Sequence, residues 1–394
     1  MGIVIAAGFL VSAAIDLAVG AGLARHMASA ASASRIQFFG SVFCAASLVA
    51  VFLGAWMPSD LRFGYALTAG IIFRLSFATY DIPQNALMAL ATIDARERLR
   101  IASVRIWFSG AATLIVAVTI GPLVARRGQA DTVPFFLGLA TLFGIAAIGS
   151  AAVLAHFLRN RRATQTAETG AAAPPGRFLA DFWLLLLVMV ATSAFTPAFG
   201  KLEPYFASYA LRSAWWGGAV IILMAAGIIA GQPIWMRLSN RMPGGVLMLL
   251  NALLQIAALA IFWWFGPVCP SMAAASAFAF GLGNGGVGMV QWAAFSETVA
   301  RLGQGRVGFS YGLFAATSKI ALAAGGILLS VALARTDLHD ANSIGLTSLM
   351  AAIPGLGALG CALAGVGLFL TERQRKPVFV AAGPDLGIST KLSH

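Results

Sequence analysis

Eleven predominantly apolar stretches follow one another along this sequence, at about 2–24, 36–57, 63–91, 101–125, 133–157, 179–210, 214–236, 245–266, 271–296, 308–334 and 344–370. A hydrocarbon core about 30 Å thick is crossed by about 20 helical residues, so each stretch is long enough to span it. Backbone polar groups in lipid must be satisfied within the segment, which makes a helix the spanning element for such runs. The chain is therefore expected to be all-α, a polytopic membrane protein with 11 transmembrane helices. Composition agrees, since only 10% of residues are charged, against about 25% in soluble domains.

The one long polar connection, at 158–178 (RNRRATQTAETGAAAPPG), divides five spans from six. Its composition reads as a surface linker between two helical bundles at 1–157 and 179–370, with a polar tail at 371–394. Alternate loops differ sharply in charge: the set holding 158–178 and the tail carries 17 Lys and Arg, the opposite set 5. Basic loops stay on the cytoplasmic side, which places the tail inside and Met1 outside. The two halves also share a faint echo, GAGLAR at Gly20–Arg25 and GQPIWMR at Gly231–Arg237, each closing a span before a short basic loop. Parallel repeats with a midplane site between them are a known transporter plan. The formal net charge of +12 is spread through these loops. It forms no single basic face, so nucleic acid is not an expected partner.

Charges within the spans are few: Asp16, Arg74, Asp81, Arg105, Lys201, Glu203 and Lys319, with Glu297 near a span end. An ionised side chain in hydrocarbon is costly and faces a partner or a watery cavity, so such residues mark candidate sites. Asp81, Arg105 and Lys319 lie deepest and are the first candidates for binding. Arg74 precedes Asp81 by seven residues, two turns and roughly 10 Å along one helix face. Arg74, Lys201, Glu203 and Glu297 are read as possible structural ion pairs. Lys201, Glu203 and Glu297 also lie near interfaces, where long side chains reach water. Trp292 and Tyr80 lie near these charges and could stack on a ligand, although packing is the commoner role of such rings.

Other motifs fail on context. Gly281, Gly283 and Gly286 fit GxGxxG but sit inside an apolar span rather than after a strand, which points to helix packing. The four histidines are scattered, and Cys44, Cys269 and Cys361 are far apart, so neither a metal cluster nor a disulfide framework is expected. No nucleophile motif stands in the required strand–turn–helix context, and the chain is not expected to be an enzyme.

The stretch YDIPQNALMALATIDARERLRIASVR at 80–105 resembles the glycoside–pentoside–hexuronide:cation symporters of the major facilitator superfamily, the sodium/melibiose symporter-like group. That group has a YDIP-type fourth helix, a D-x-R-E-R loop and an Arg opening its fifth helix. Asp16 and Gly20 in the first span here resemble the family's second helix. Tyr205 with Tyr209 is similar to its seventh, and FSYGLFAATSKIALAAGGILL, with Lys319, to its eleventh. The resemblance runs from the family's second helix onward, with its first helix missing. It implies the major facilitator fold and the binding of substrate by Asp81 and Arg105, with Lys319 nearby. Asn85 stands where the family stacks a Trp on substrate, and Tyr80 opens the motif. Asp16 would help hold the coupling cation, with Ser12 where many members carry a second Asp. Leu17, Ala24 and Ala78 also depart from the family pattern. Losing a carboxylate and a hydroxyl weakens a site for Na+, which wants several oxygen ligands, and makes H+ the competing coupling ion.

The expected function is thus cation-coupled symport of a sugar, glycoside or similar small polar solute by alternating access, with no cofactor beyond H+ or Na+. Two alternatives stand beside it: a lysophospholipid-type lipid carrier, and a non-transporting membrane partner or sensor derived from a carrier. Abundant Ala and Gly and a preference for Arg over Lys suggest a bacterial inner membrane.

Overall fold

A computed structural model describes residues 2–125, 132–159, 180–336 and 344–374; the linker at 160–178 and the tail from 375 lie outside the described residues. Twelve α-helices carry the chain and no strand occurs among the described residues. They are α1 (Gly2–Leu23), α2 (Ala30–Leu53), α3 (Ser59–Leu90), α4 (Ala95–Ala125), α5 (Thr132–Leu158), α6 (Ala180–Ala194) and α7 (Ala198–Tyr205). The rest are α8 (Ala214–Ser239), α9 (Gly244–Phe265), α10 (Pro270–Leu302), α11 (Val307–Ala334) and α12 (Ile344–Gln374). A π-helical turn, Phe206–Leu211, continues α7, so α6, α7 and this turn form one span, Ala180–Leu211. Ten spans among the described residues are long and apolar enough to cross a membrane. With the 31-residue α4 they make up the eleven read from the sequence.

Local chemistry sets the helix ends. Ser29 and Ser32 form a reciprocal capping box on α2, satisfying backbone N–H groups that the helix cannot. The D-x-R-E-R loop does the same for α4. Asp94 Oδ1 accepts from the Glu97 backbone N–H at 2.7 Å, and Glu97 Oε2 accepts from Ile93 N–H at 2.9 Å. Arg98 Nε then donates to Thr92 Oγ1 at 3.0 Å, tying α4 back to the end of α3. Gly303, at φ 89°, ends α10 in the left-handed region that glycine tolerates. Pro197 precedes α7 and Pro204 lies inside it; both lack an amide proton for the helix ladder, and the α-helix is interrupted between Ala194 and Ala198.

The helices of 2–158 meet those of 180–374 through α1 on α11, α4 on α8 and α10, and α3 on α10 and α11. These contacts gather at the end of the molecule that carries the basic loops. Gly20 of α1 lies so close to α11 that a Cβ there would stand 2.8 Å from Gly312 Cα. The buried cluster at this end draws on both parts of the chain: Ile82, Ala86 and Met88 from α3 pack with Phe295 and Val299 from α10 and Phe314 from α11. The cluster toward the other end is built from α7 to α12 alone, around Phe199, Phe206, Phe262 and Phe280. Along α3 the contrast is direct, with Phe63 81% exposed and Ile82 fully buried. The two parts are therefore closed against each other at the basic end. The GxGxxG glycines serve packing: side chains at Gly281 or Gly283 would collide with the backbones of Met224 on α8 and Asn251 on α9.

Candidate functional site

Four of the charged side chains singled out by the sequence, Asp16, Asp81, Arg105 and Lys319, converge beside this closed layer. Asn85 lies one turn beyond Asp81 on α3, and its Nδ2 donates to Asp81 Oδ2 at 2.9 Å. Arg105 Nη1, from α4, donates to Asn85 Oδ1 at 2.5 Å. The guanidinium plane stacks on Trp292 of α10, 3.8 Å from the ring centroid, a cation–π contact strengthened by exclusion of water. Asp81, Asn85, Arg105 and Trp292 thus form one chain of contacts across α3, α4 and α10. Asn85, the residue that departs from the family's stacking Trp, is the link between carboxylate and guanidinium.

Beside it lies a second pair. Lys319 Nζ of α11 is 2.6 Å from Asp16 Oδ2 of α1, both side chains largely buried. Ser12, one turn before Asp16, is 3% exposed. Asp81 is within electrostatic reach of both Arg105 and Lys319, so the two groups form a single charged centre. Tyr80 sets its ring against Phe77, centroids 6.5 Å apart, and its backbone against Gly40 of α2.

The remaining candidates lie elsewhere. Salt bridges join Asp16 to Lys319 and Asp181 to Arg301. Arg74 reaches toward Gly8 on α1. Lys201 lines a gap with Ala6, Phe9 and Gly326, and Glu203 lines a separate cavity with Ser208 and Arg212. Glu297 is within electrostatic reach of Arg301. Asp181–Arg301, 3.1 Å, joins α6 to α10 at the basic end. The sequence reading missed this pair, although an Asp in the first turn of a helix was the signal to follow.

A further set was also missed. A cavity of about 360 Å³ lies among α6, α7, α8, α10 and α11, with Trp292 in its wall. Thr192, Ser193 and Thr196 line it from α6 and the bend after it, Asn284 and Gln291 from α10. Gln291 is 3% exposed, and its Nε2 has no hydrogen-bond partner. Ser193 Oγ and Ser318 Oγ lie 2.9 Å apart, bridging α6 to the residue next to Lys319. Asn284 and Gln291 are seven residues apart, two turns along one face. Trp292 therefore touches both the charged group, through Arg105, and this neutral cavity of hydroxyls and amides, whose lining does not include Asp81, Asn85 or Arg105.

Solved structures similar in fold include FucP, a major facilitator superfamily transporter in the outward conformation, at 14% identity and TM-score 0.62, covering 92% of this chain and 89% of that one. A bacterial homologue of the iron transporter ferroportin in an outward-facing state is similar at 16% identity and TM-score 0.60, with 95% and 90% covered. The human organic anion transporter MFSD10 is similar at 17% identity and TM-score 0.58, with 91% and 83% covered. No curated protein sequence matches significantly. The model of the family described as MFS/sugar transport protein matches residues 1–372. With ten helices among the described residues long and apolar enough to cross a membrane, and a charged centre where the two parts of the chain meet, this protein belongs to the MFS/sugar transport protein family of transporters.

Proposed function

We propose that the protein carries a neutral, polyhydroxylated small solute, sugar-like in its hydroxyl pattern, and that protons drive it. The observation that carries this reading is the pairing of walls around Trp292. On one side Arg105 is already engaged by Asn85 and by the Trp292 ring, and Asp81 supplies a compensating negative charge. A substrate carboxylate would meet a guanidinium already occupied and a like charge. Hydroxyls suit the site better, because they donate to Asp81 and accept from Arg105. On the other side Gln291 and Asn284, with Thr192 and Thr196, offer neutral donors and acceptors. The cavity, about 360 Å³, falls within the ~300–1,000 Å³ usual for small-molecule sites. Sugar binding on an aromatic face flanked by such groups follows from the same chemistry.

The coupling ion follows from the second pair. Asp16 is met at 2.6 Å by the Lys319 ammonium, so the cation at this carboxylate is built into the chain. A hard cation such as Na+ needs several oxygen ligands, while a proton needs only the carboxylate. Protonating Asp16 releases Lys319 and loosens the α1–α11 contact that closes the basic end. With the basic loops on the cytoplasmic side, that closure makes the present arrangement outward-facing. The bundles at 1–157 and 179–370 would rock about the central site to reach the opposite one.

Substrate class is tested by binding to purified protein in nanodiscs, with a panel of neutral mono- and disaccharides, glycosides, uronates and lysophospholipids read by calorimetry. Neutral sugars or glycosides are expected to bind, and Gln291→Leu is expected to weaken them by roughly ten- to a hundredfold, the cost of about 1–3 kcal/mol for a buried hydrogen bond lost. Preferential binding of uronates or lysophospholipids would contradict the proposal.

A further inference from the structure

Glu203 is a carboxylate in an unusual setting. It lies on α7 within the span Ala180–Leu211, at the end of the molecule away from the basic loops, and is 7% exposed. It takes no part in the Asp16–Lys319 or Asp181–Arg301 salt bridges, and the hydrogen bonds of its neighbours Ser208 and Ser213 do not reach it. Ser208 donates instead to Pro204 O at 2.8 Å, and Ser213 caps α8 by accepting from Trp216 N–H at 3.4 Å. The carboxylate lines a cavity of about 480 Å³ together with Pro204, Ala207, Ser208, Arg212, Ser213 and Gly218.

The backbone is shaped around this carboxylate. Gly217 on α8 admits the close approach of both Ala207 and this carboxylate, since a Cβ there would collide with the Ala207 Cβ and stand 2.7 Å from Glu203 Oε1. The chain after α7 leaves α-helical geometry for a π turn and then places Arg212 at φ 49°, an irregularity of the kind that recurs at functional sites. A largely buried carboxylate that makes no ion pair favours its neutral, protonated form over the charged one. One carboxylate flanked by two serines already hydrogen-bonded does not supply the oxygen shell of a metal cation. Arg212 in the same cavity opposes any other cationic guest. The group that satisfies the geometry is a proton.

We propose that Glu203 is a proton-binding site reached from the end opposite the basic loops, distinct from Asp16, and that its protonation sets how α7 packs on α8. Among the described residues, the titratable and charged groups near it are Arg212, which shares its cavity, and Tyr205 and Tyr209 on the π turn and its start. Lys201 on α7 faces the gap lined by Ala6 and Phe9. The facing part of α8, Trp215–Met236, and that of α12, Ile344–Leu370, carry no acidic or basic side chain. Glu203 therefore titrates in a neutral setting apart from Arg212.

The test is infrared difference spectroscopy of purified, substrate-free protein between acid and alkaline buffer, read at the carbonyl stretch of a protonated carboxylic acid. Wild type is expected to show a band that is lost in Glu203→Gln, displaced in Glu203→Asp and kept in Asp16→Asn. Gly217→Ala, which crowds both Ala207 and Oε1, is expected to move its titration midpoint. A difference spectrum unchanged in both Glu203 variants would overturn the proposal, as would a band that follows Na+ concentration rather than pH. Because no substrate is present, the outcome is independent of whether the central cavity takes a sugar.

Discussion

Replacing Arg105 by Ala is expected to lower substrate binding and uptake by roughly two to three orders of magnitude, the equivalent of the ~3–5 kcal/mol lost when one member of a buried charged pair is removed. The guanidinium does three things at once: it donates to Asn85 Oδ1, covers the Trp292 ring and balances Asp81. Its loss leaves Asn85 Oδ1 without its donor, frees the aromatic face and strands the carboxylate. Lysine is expected to rescue little, because an ammonium cannot fork and stack together. Asn85→Ala should fall between wild type and Arg105→Ala, since it removes the link but neither charge. Calorimetric binding and uptake into vesicles, with size-exclusion profiles to confirm folding, check the series. If Arg105→Ala bound substrate as wild type does, the charged wall would have no part in recognition.

The second large effect is expected at Asp16–Lys319. Breaking a buried pair from one side costs about 3–5 kcal/mol, because the surviving charge has no partner. Lys319→Ala and Asp16→Asn should each lower thermal stability and abolish gradient-driven accumulation. The double variant Asp16→Asn/Lys319→Gln replaces two charges by two neutral polar groups and should recover most of the stability. It should still exchange substrate down its own gradient while no longer responding to a proton gradient. Recovery of stability together with proton-driven accumulation would show that coupling resides elsewhere. Counterflow, gradient-driven uptake and melting temperature, measured on the same preparations, separate these outcomes.

The spans were legible because lipid leaves one solution for a long apolar run, and the basic loops stand out by charge alone. The break between α6 and α7 was hidden for the same reason: 179–210 is predominantly apolar, and hydropathy does not register the interruption of the helix at Pro197. Asp81, Arg105, Asp16 and Lys319 drew attention as isolated charges in hydrocarbon, a local property of sequence. That Lys319 meets Asp16, and that Arg105 reaches Asp81 through Asn85, depends on contacts between distant helices that spacing does not encode. Gln291 and Asn284 escaped notice because neutral amides in a glycine-rich span disturb neither charge nor periodicity. Only the folded chain brings them to the face of Trp292. Glu203, read from its place near a span end as a possible structural pair, instead lies in its own cavity.

The central claim, proton-driven carriage of a neutral hydroxylated solute, is tested most directly by uptake into proteoliposomes under imposed H+ or Na+ gradients, with the sugar that binds best and with Asp81→Asn in parallel. The account predicts accumulation with the proton gradient, none with sodium alone, and none through Asp81→Asn. Accumulation driven by sodium, or uptake undiminished in Asp81→Asn, would contradict it.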